Sequence, residues 1–191
     1  MAHPAATMRT MKIGIVGVSG YGGSELLRLC AGHPSFEIAY VGGESTAGQA
    51  LAGRFPALAG HPVGKLVIQP FAPEKISGID LLFASLPTGM SKAPLAKVAK
   101  DIRIVDVGGD HRFVEGWTYG LTELPGQRAR IRGTTRLANP GCYPAASLLA
   151  LMPLVKEGLV EPEGIVIDAK SGVTGTGRGG ASDFGDRKSV V

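Results

Sequence analysis

One stretch decides the fold of this chain: Lys12-Ile13-Gly14-Ile15-Val16-Gly17-Val18-Ser19-Gly20-Tyr21-Gly22-Gly23. Its first seven residues are an apolar run typical of a buried strand, and a helical pattern extends from Tyr21 to Ala31. Glycines between strand and helix permit a tight turn and close approach to a pyrophosphate, whose charge a helix N-terminus stabilises. The stretch therefore predicts a dinucleotide-binding turn, and tight helix–strand packing without a ligand is the alternative. The predicted cofactor-binding residues are Gly17, Ser19, Gly20, Tyr21, Gly22 and Gly23.

Apolar runs and helical patterns alternate along the rest of the chain, which predicts βαβ units and a mainly parallel sheet. A short helix is expected at residues 91–100, and another follows Cys142. Further strands are expected at residues 36–41, 66–68, 81–84, 102–107, 136–138 and 164–169.

The composition limits the classes of protein that this chain can represent. Of 191 residues 44% are hydrophobic and 19% charged, fractions that are typical of a globular protein. The net charge is +4. Two distant cysteines argue against a disulfide scaffold or a zinc site and suit a reducing cytoplasm. We find no basic stripe with interleaved aromatics that would indicate nucleic-acid binding, and no metal site. Residues 1–11 lack the apolar core of a signal peptide and are expected to form a loose leader, and no apolar run is long enough to span a membrane.

A single cysteine lies in the stretch Asn139-Pro140-Gly141-Cys142-Tyr143-Pro144, where an extended run breaks and a helical pattern begins. A thiol at a helix N-terminus is readily ionised, because unpaired N–H groups and the helix dipole favour the thiolate. Thiolates attack acyl carbons. We therefore predict that Cys142 is a catalytic nucleophile, and that Cys30 is an inert core residue of the first helix.

The end of the second predicted strand is where an adenosine ribose would bind. Glu44 lies about 20 residues beyond the glycine turn, the spacing at which an acidic side chain binds a ribose hydroxyl and favours NAD. Ser45 and Thr46 would instead hydrogen-bond the extra phosphate of NADP. The residues leave the choice between NAD and NADP open.

Two predicted loops carry cations to the carboxyl ends of strands, where active sites of such sheets lie. Arg112 follows the strand at residues 102–107 and is able to bind a phosphate or carboxylate with two hydrogen bonds; a surface ion pair with Asp110 or Glu115 is the alternative. The loop from Lys170 to Arg178 is cationic and rich in hydroxyl groups. Of the histidines only His111 lies near a candidate site, and a surface position is expected for it.

Six motifs, in this order, resemble the N-acetyl-γ-glutamyl-phosphate reductase family of arginine biosynthesis. The resemblance covers residues 12–185, and its most specific parts are the cysteine motif and the Asp-Ala-Lys-Ser-Gly run. The motifs are Gly17-x-Ser19-Gly20-Tyr21-x-Gly23-x-Glu25-Leu26, His33-Pro34, Leu86-Pro87-x-Gly89, Tyr119-Gly120-Leu121-x-Glu123-Leu124, Asn139-Pro140-Gly141-Cys142-Tyr143-Pro144 and Asp168-Ala169-Lys170-Ser171-Gly172.

The resemblance implies a Rossmann-type parallel sheet over residues 12–141, followed by the start of an incomplete α+β catalytic domain over residues 142–191. It implies NADPH as the reductant of an acyl phosphate, Cys142 as the nucleophile that forms a thioester, and a homo-oligomer. Further cofactor contacts are expected from Ser45, Pro87, Ser171 and Gly172, and substrate contacts from Arg112, Asn139, Lys170 and Arg178.

Several features depart from the family pattern. Family members use a histidine acid/base further downstream, and these 191 residues do not contain it. We therefore expect little or no turnover from the 191-residue chain alone. An inactive dinucleotide-binding fragment is the alternative function. The aminoadipyl homologue of lysine biosynthesis is a second alternative, since one extra methylene in the substrate is hard to recognise. Glu44 stands where many members carry a basic or small polar residue, and Gly108-Gly109 replaces the more usual Ser-Ala.

Overall fold

In the computed structural model of the chain, residues 10–180 are described, and they contain a six-stranded sheet in which every strand pair is parallel. The sheet confirms the predicted α/β, Rossmann-type fold. Its strands are β1 (Met11–Val16), β2 (Phe36–Gly42), β3 (Leu81–Ala84), β4 (Arg103–Asp106), β5 (Thr118–Tyr119) and β6 (Arg136–Ala138). Met11, expected in the leader, begins β1, and residues 1–9 of that predicted leader lie outside the described residues.

The strand order β2-β1-β3-β4-β6-β5 determines where a site can form. After β2 the chain returns to the other side of β1, so the order reverses between β1 and β3, and ligands of such sheets bind at this reversal. Because all strands are parallel, the segments that follow β1, β2, β3, β4 and β6 leave from the same edge. Backbone bonds hold neighbouring segments together there: Ser85 N donates to Val16 O at 3.0 Å and Asn139 N donates to Asp106 O at 2.8 Å.

Within residues 10–180, six α-helices connect and flank the strands. The predicted bounds of the first are confirmed, whereas the helix expected at residues 91–100 extends only over Lys92–Leu95 because the hydrogen bonds then tighten to the three-residue pattern, as from Val98 N to Leu95 O. The helices are α1 (Tyr21–Ala31), α2 (Leu51–Arg54), α3 (Lys92–Leu95), α4 (Gln127–Gly133), α5 (Cys142–Lys156) and α6 (Gly177–Gly180).

Two apolar clusters cover the two faces of the sheet, as alternation along the strands requires. Ile13 and Ile15 of β1 belong to one cluster, which α1 covers with Leu27 and Cys30. Val16 belongs to the other, built mainly on β3, β4 and the segment around α3. All five side chains are at most 5% exposed. The segments that follow the strands at the carboxyl edge are therefore attached to a packed core.

Two predicted strands do not form. Residues 66–68 form no strand: Val67 makes an isolated antiparallel bridge to Ala50, and Gln69, just beyond them, makes an isolated parallel bridge to Gly42. Residues 164–169 have no strand partner among the described residues, and Val166 is 91% exposed. α5 likewise contains no buried residue. Among residues 10–180, no helix is both long and apolar enough to cross a membrane.

Candidate active site

The glycine turn packs too closely for side chains at two of its positions. Gly17 has a positive φ of 80°, and a Cβ on it would lie 2.0 Å from the carbonyl oxygen of Ser85 in the segment after β3. A Cβ on Gly23 would lie 2.0 Å from the carbonyl oxygen of Gly17. The predicted alternative of tight helix–strand packing is therefore real, and it brings the N-terminus of α1 against the ends of β1 and β3.

The N-terminus of α1 has the features of a phosphate site. Its N-cap is Gly20, and no side chain caps the helix. Such a helix end carries unpaired N–H groups and a partial positive charge. With glycines on both sides of it, a pyrophosphate would meet backbone without obstruction. The geometry fits a dinucleotide, while the individual contacts of the predicted cofactor residues stay predictions.

The segment after β2 lies beside this turn. Oγ of Ser19 and Oγ1 of Thr46 are 2.6 Å apart, within hydrogen-bonding distance, and Thr46 is buried. Ser45 is therefore the hydroxyl left exposed beside the predicted ribose position. The exposed carboxylate of Glu44 accepts a hydrogen bond from Phe71 N at 3.2 Å. This bond holds the negative charge of Glu44 at the carboxyl end of β2.

Cys142 is the first residue of α5, and its side chain is exposed. Gly141 is the N-cap, with φ −73° and ψ 160°, and no side chain caps this helix either. Pro144 has no N–H, and Ala145 N already donates to Gly141 O. The first turn therefore presents the N–H groups of Cys142 and Tyr143 beside the thiol. The predicted place of Cys142 at a helix N-terminus is confirmed, and its nucleophilic role stays a prediction.

Arg112 joins the segment after β4 to the cysteine segment. Its Nε donates to the carbonyl oxygen of Asn139 at 3.1 Å, and a Cβ on Gly141 would lie 2.8 Å from its Nη1. The alternative ion pair with Asp110 or Glu115 does not form within residues 10–180. A guanidinium held one residue before Cys142 is well placed to meet an anion at that thiol. Nδ2 of Asn139 itself donates to Pro140 O at 3.1 Å.

A polar cluster that the sequence did not reveal lies beneath these segments. Asp106, Ser91 and His111 are 0%, 0% and 5% exposed. Oδ2 of Asp106 accepts from Nδ1 of His111 at 2.6 Å and from Oγ of Ser91 at 3.0 Å, and Oδ1 accepts from Gly108 N at 2.9 Å. His111 also stacks on Trp117 at a centroid distance of 3.9 Å. The expected surface position of His111 is therefore wrong, since its ring is held inside the protein.

Asp110 extends this cluster to the segment after β3. Its Oδ1 accepts from Gly89 N at 2.6 Å, and its Oδ2 accepts from Ser91 N and Ser91 Oγ, both at 2.9 Å. Burial alone would raise the pKa of Asp110, but these hydrogen bonds and nearby His111 outweigh it and lower the pKa below its ordinary value. Asp110 is accordingly ionised at neutral pH. The sequence carries a signal for this cluster that was missed. Ser91 directly precedes a helix, and Asp106 and Asp110 lie at the end of a buried strand and just beyond it.

The remaining predicted site residues follow Cys142 in the chain or lie in the segment after β3. Lys170 is exposed and pairs with Asp168, and the hydroxyl of Ser171 donates to the adjacent carbonyl of Gly172 at 3.2 Å. The guanidinium of Arg178 lies 4.9 Å from the ring centroid of Tyr21, beside the glycine turn. Pro87 begins the turn that Met90 N closes at 3.0 Å, at the carboxyl edge of β3. Their binding roles stay predictions.

Comparisons with known proteins agree with this geometry. Residues 12–132 match the family model described as "Semialdehyde dehydrogenase, NAD binding domain", and residues 142–187 match "Semialdehyde dehydrogenase, dimerisation domain". Proteins named N-acetyl-gamma-glutamyl-phosphate reductase are similar: one from Bradyrhizobium sp. (strain BTAi1) is 53% identical over 176 residues, and one from Methylobacterium sp. (strain 4-46) is 55% identical over 177. Each match covers 92% of this chain, and 53% and 54% of the relative. The chain thus spans about half the length of the curated relatives it matches.

Solved structures support the fold. Aspartate semialdehyde dehydrogenase II of Vibrio cholerae, complexed with ASA, superposes with a TM-score of 0.65 at 16% identity, over 93% of this chain and 51% of that one. The Candida albicans aspartate semialdehyde dehydrogenase with NADP gives a TM-score of 0.58 at 19% identity, over 79% and 48%. At such identities the likeness concerns the arrangement of helices and strands alone.

Proposed function

Because the chain belongs to the semialdehyde dehydrogenase family, we propose that it takes part in the NADPH-dependent reduction of N-acetyl-γ-glutamyl phosphate to N-acetylglutamate semialdehyde, with release of phosphate, in arginine biosynthesis. The observation that carries the proposal is the exposed thiol of Cys142 at the uncapped start of α5, with Arg112 held beside it. The proposal is supported by relatives more than 50% identical that bear the name of this reductase.

The thiolate of Cys142 attacks the acyl carbon, a carbon–sulfur bond forms, and the bond to the phosphate oxygen breaks. Arg112 binds the phosphate, which takes up a proton as it leaves. The N–H groups of Cys142 and Tyr143 stabilise the negative charge on the carbonyl oxygen, as backbone donors do in acyl transfer. The resulting thioester keeps the acyl group on the protein until it is reduced.

The cofactor we propose is NADPH: the N-terminus of α1 would hold its pyrophosphate, and Pro87 would contact its nicotinamide. When bound, it supplies the hydride that reduces the thioester carbon. Gly17 and Gly23 let α1 pack closely against the ends of β1 and β3, which leaves its uncapped N-terminus at that edge of the sheet to hold the pyrophosphate. Ser45 is an exposed hydroxyl in the segment after β2. Ser171 and Gly172 are assigned to the cofactor, and Asn139, Lys170 and Arg178 to the substrate.

The division into two domains is also part of this proposal. Residues 12–141 contain the described sheet except Met11, the first residue of β1, and form the dinucleotide-binding domain. Residues 142–191 belong to the catalytic domain, for which α5 supplies the nucleophile. The absence of buried residues from α5 and the description of the family model that matches residues 142–187 support a homo-oligomer assembled through this part.

The first half-reaction tests the proposal on this chain. Mixing it with N-acetyl-γ-glutamyl phosphate without cofactor should release about one equivalent of phosphate per chain in a rapid burst, because acylation of a single thiol expels one phosphate. The Cys142→Ala variant should show no burst, whereas Cys30→Ala, which removes only a buried thiol, should retain it. A burst that survives Cys142→Ala, or none in the wild type, would refute the proposed chemistry.

A further inference from the structure

Two segments at the carboxyl edge of the sheet are in direct contact. They are residues 86–91 after β3 and residues 107–112 after β4. A Cβ on Gly108 would lie 3.1 Å from the carbonyl oxygen of Leu86, and one on Gly109 would lie 3.2 Å from Oγ1 of Thr88. The Gly108-Gly109 pair therefore permits the close approach of the two segments, and a side chain at either position would crowd it.

One carboxylate fastens this contact. Asp110 accepts three hydrogen bonds, from Gly89 N, Ser91 N and Ser91 Oγ, so that both ends of a three-residue turn are attached to the segment after β4. Ser91 Oγ lies within 3.0 Å of both Asp106 and Asp110 and has a single proton to share between them. Asp110 is the principal anchor because it accepts three hydrogen bonds from residues 86–91, whereas Asp106 accepts one. Hydrogen bonds to a charged acceptor are roughly twice as strong as neutral ones.

The same segment reaches the cysteine. Two residues beyond Asp110, Arg112 donates to Asn139 O, three residues before Cys142, and Asn139 N donates to Asp106 O. The segment of residues 107–112 thus attaches to the cofactor side of the site through Asp110 and to the nucleophile side through Arg112. Its position sets the distance between the two.

We propose that Asp110 is a positioning residue: by holding residues 86–91 against residues 107–112, its carboxylate fixes the nicotinamide side of the site relative to the thiol of Cys142. The inference rests on the proposed function for the statement that the ligand is NADP. The anchoring by Asp110 rests on its hydrogen bonds to Gly89 and Ser91. Asp110 does not touch the reacting atoms. It acts through the backbone of Gly89 and Ser91.

The Asp110→Asn variant tests the anchor. An amide retains one acceptor oxygen but turns an NH₂ group towards the N–H of Gly89 or Ser91, so at least one bond is lost. Amide hydrogen exchange over residues 86–91, followed by mass spectrometry, should become about tenfold faster than in the wild type, because a lost anchor permits local opening. Asp101→Asn, an exposed carboxylate outside the cluster, is the matched control and should exchange as the wild type does.

A second measurement tests the positioning role. NADP⁺, at a concentration that saturates each variant, should slow alkylation of Cys142 by iodoacetamide in the wild type because the nicotinamide covers the thiol. In Asp110→Asn the protection should fall about tenfold although NADP⁺ still binds, because a nicotinamide side displaced from Cys142 no longer covers the thiol. Ser91→Ala removes the hydroxyl bonds to Asp110 and Asp106 but keeps both backbone bonds to Asp110, so its loss of protection should be smaller. If Asp110→Asn does not fold, full protection in Ser91→Ala overturns the positioning role.

The outcomes are distinct. Faster exchange together with lost protection supports the positioning role. Unchanged exchange, or faster exchange with full protection, overturns it and leaves Asp110 a structural residue. A wild type whose Cys142 gains no protection from NADP⁺ contradicts the proposed function itself, and removes the ground for the positioning role with it.

Discussion

At the scale of single residues, the two cysteines differ in the properties that govern thiol reactivity. Cys30 is 5% exposed in the core beneath α1, and burial raises the pKa of its thiol. Cys142 is exposed at the start of α5. Iodoacetamide at neutral pH should therefore label Cys142 well before Cys30, as measured by peptide mapping over time. Both should react equally in denaturant, and equal labelling in the native protein would contradict the assignment of Cys142.

Glu44 is the residue that bears on cofactor choice. Its carboxylate is held near the predicted ribose site by Phe71 N and would repel the extra phosphate of NADP. We expect Glu44→Arg to raise the ratio of NADPH to NADH affinity by up to about fivefold, because an exposed charge contributes up to ~1 kcal/mol. Fluorescence titration with both cofactors measures the ratio. Glu37→Arg, at an exposed position of β2, is the control, and an unchanged ratio in Glu44→Arg would mean that Glu44 does not contact the ribose.

At the scale of the elements, the local sequence predicted those that are buried and complete within a short stretch. α1 has the predicted bounds because its apolar face, its glycine start and its stop at Gly32 all lie within the helix and its flanks. β3 is likewise four buried or half-buried residues between turns. Residues 164–169 carry an equally apolar pattern and form no strand, since strand formation depends on a neighbour that the pattern does not specify.

In the candidate site, too, the features set by the local sequence were predictable, and those that depend on distant neighbours were not. The segments that carry Arg112 and Cys142 were predictable because each follows an extended run and begins at glycine or proline. The cluster of Ser91, Asp106 and His111 was not, because it depends on β3 and β4 being neighbours in the sheet. β5 was not predicted either, because its two residues are too few to give an alternating pattern.

The start of α1 gives a prediction about stability. Gly23→Ala should lower the free energy of unfolding by about 2–4 kcal/mol, because its Cβ would meet backbone at 2.0 Å and the helix must move away from β1. In a chain of this size that corresponds to a Tm lower by roughly 5–15 °C, measured by circular dichroism. Gly32→Ala, where a Cβ meets nothing within 4 Å, is the matched control. Equal Tm values for the two variants would show that the close approach is not a constraint.

At the scale of the whole molecule, burial is uneven along the chain. The sheet and its two apolar clusters involve residues 11–138, whereas none of the apolar side chains described between Cys142 and Arg178 is buried. On α5, Leu149 is 46% and Leu154 40% exposed. Each Å² of apolar surface left in water forgoes about 25 cal/mol. Large exposed apolar patches mark surfaces that bind other proteins or aggregate.

This surface should make the purified chain associate with itself. Sedimentation velocity over a range of concentrations should show dimers or larger species, and Leu149→Glu combined with Leu154→Glu should shift the distribution towards monomer without changing the circular dichroism spectrum. Leu29→Glu, an exposed leucine on α1 and 55% accessible, is the control and should leave the association unchanged. A wild type that stays monomeric throughout the range would contradict this expectation.

The central claim is that Cys142 carries the acyl group between phosphate release and reduction. Intact-protein mass spectrometry after mixing with N-acetyl-γ-glutamyl phosphate tests the formation of this adduct most directly, with peptide mapping to locate it. The account predicts one N-acetylglutamyl group on Cys142 in the wild type and in Cys30→Ala, and none in Cys142→Ala. An adduct on any other residue, or no adduct in the wild type, would contradict the account.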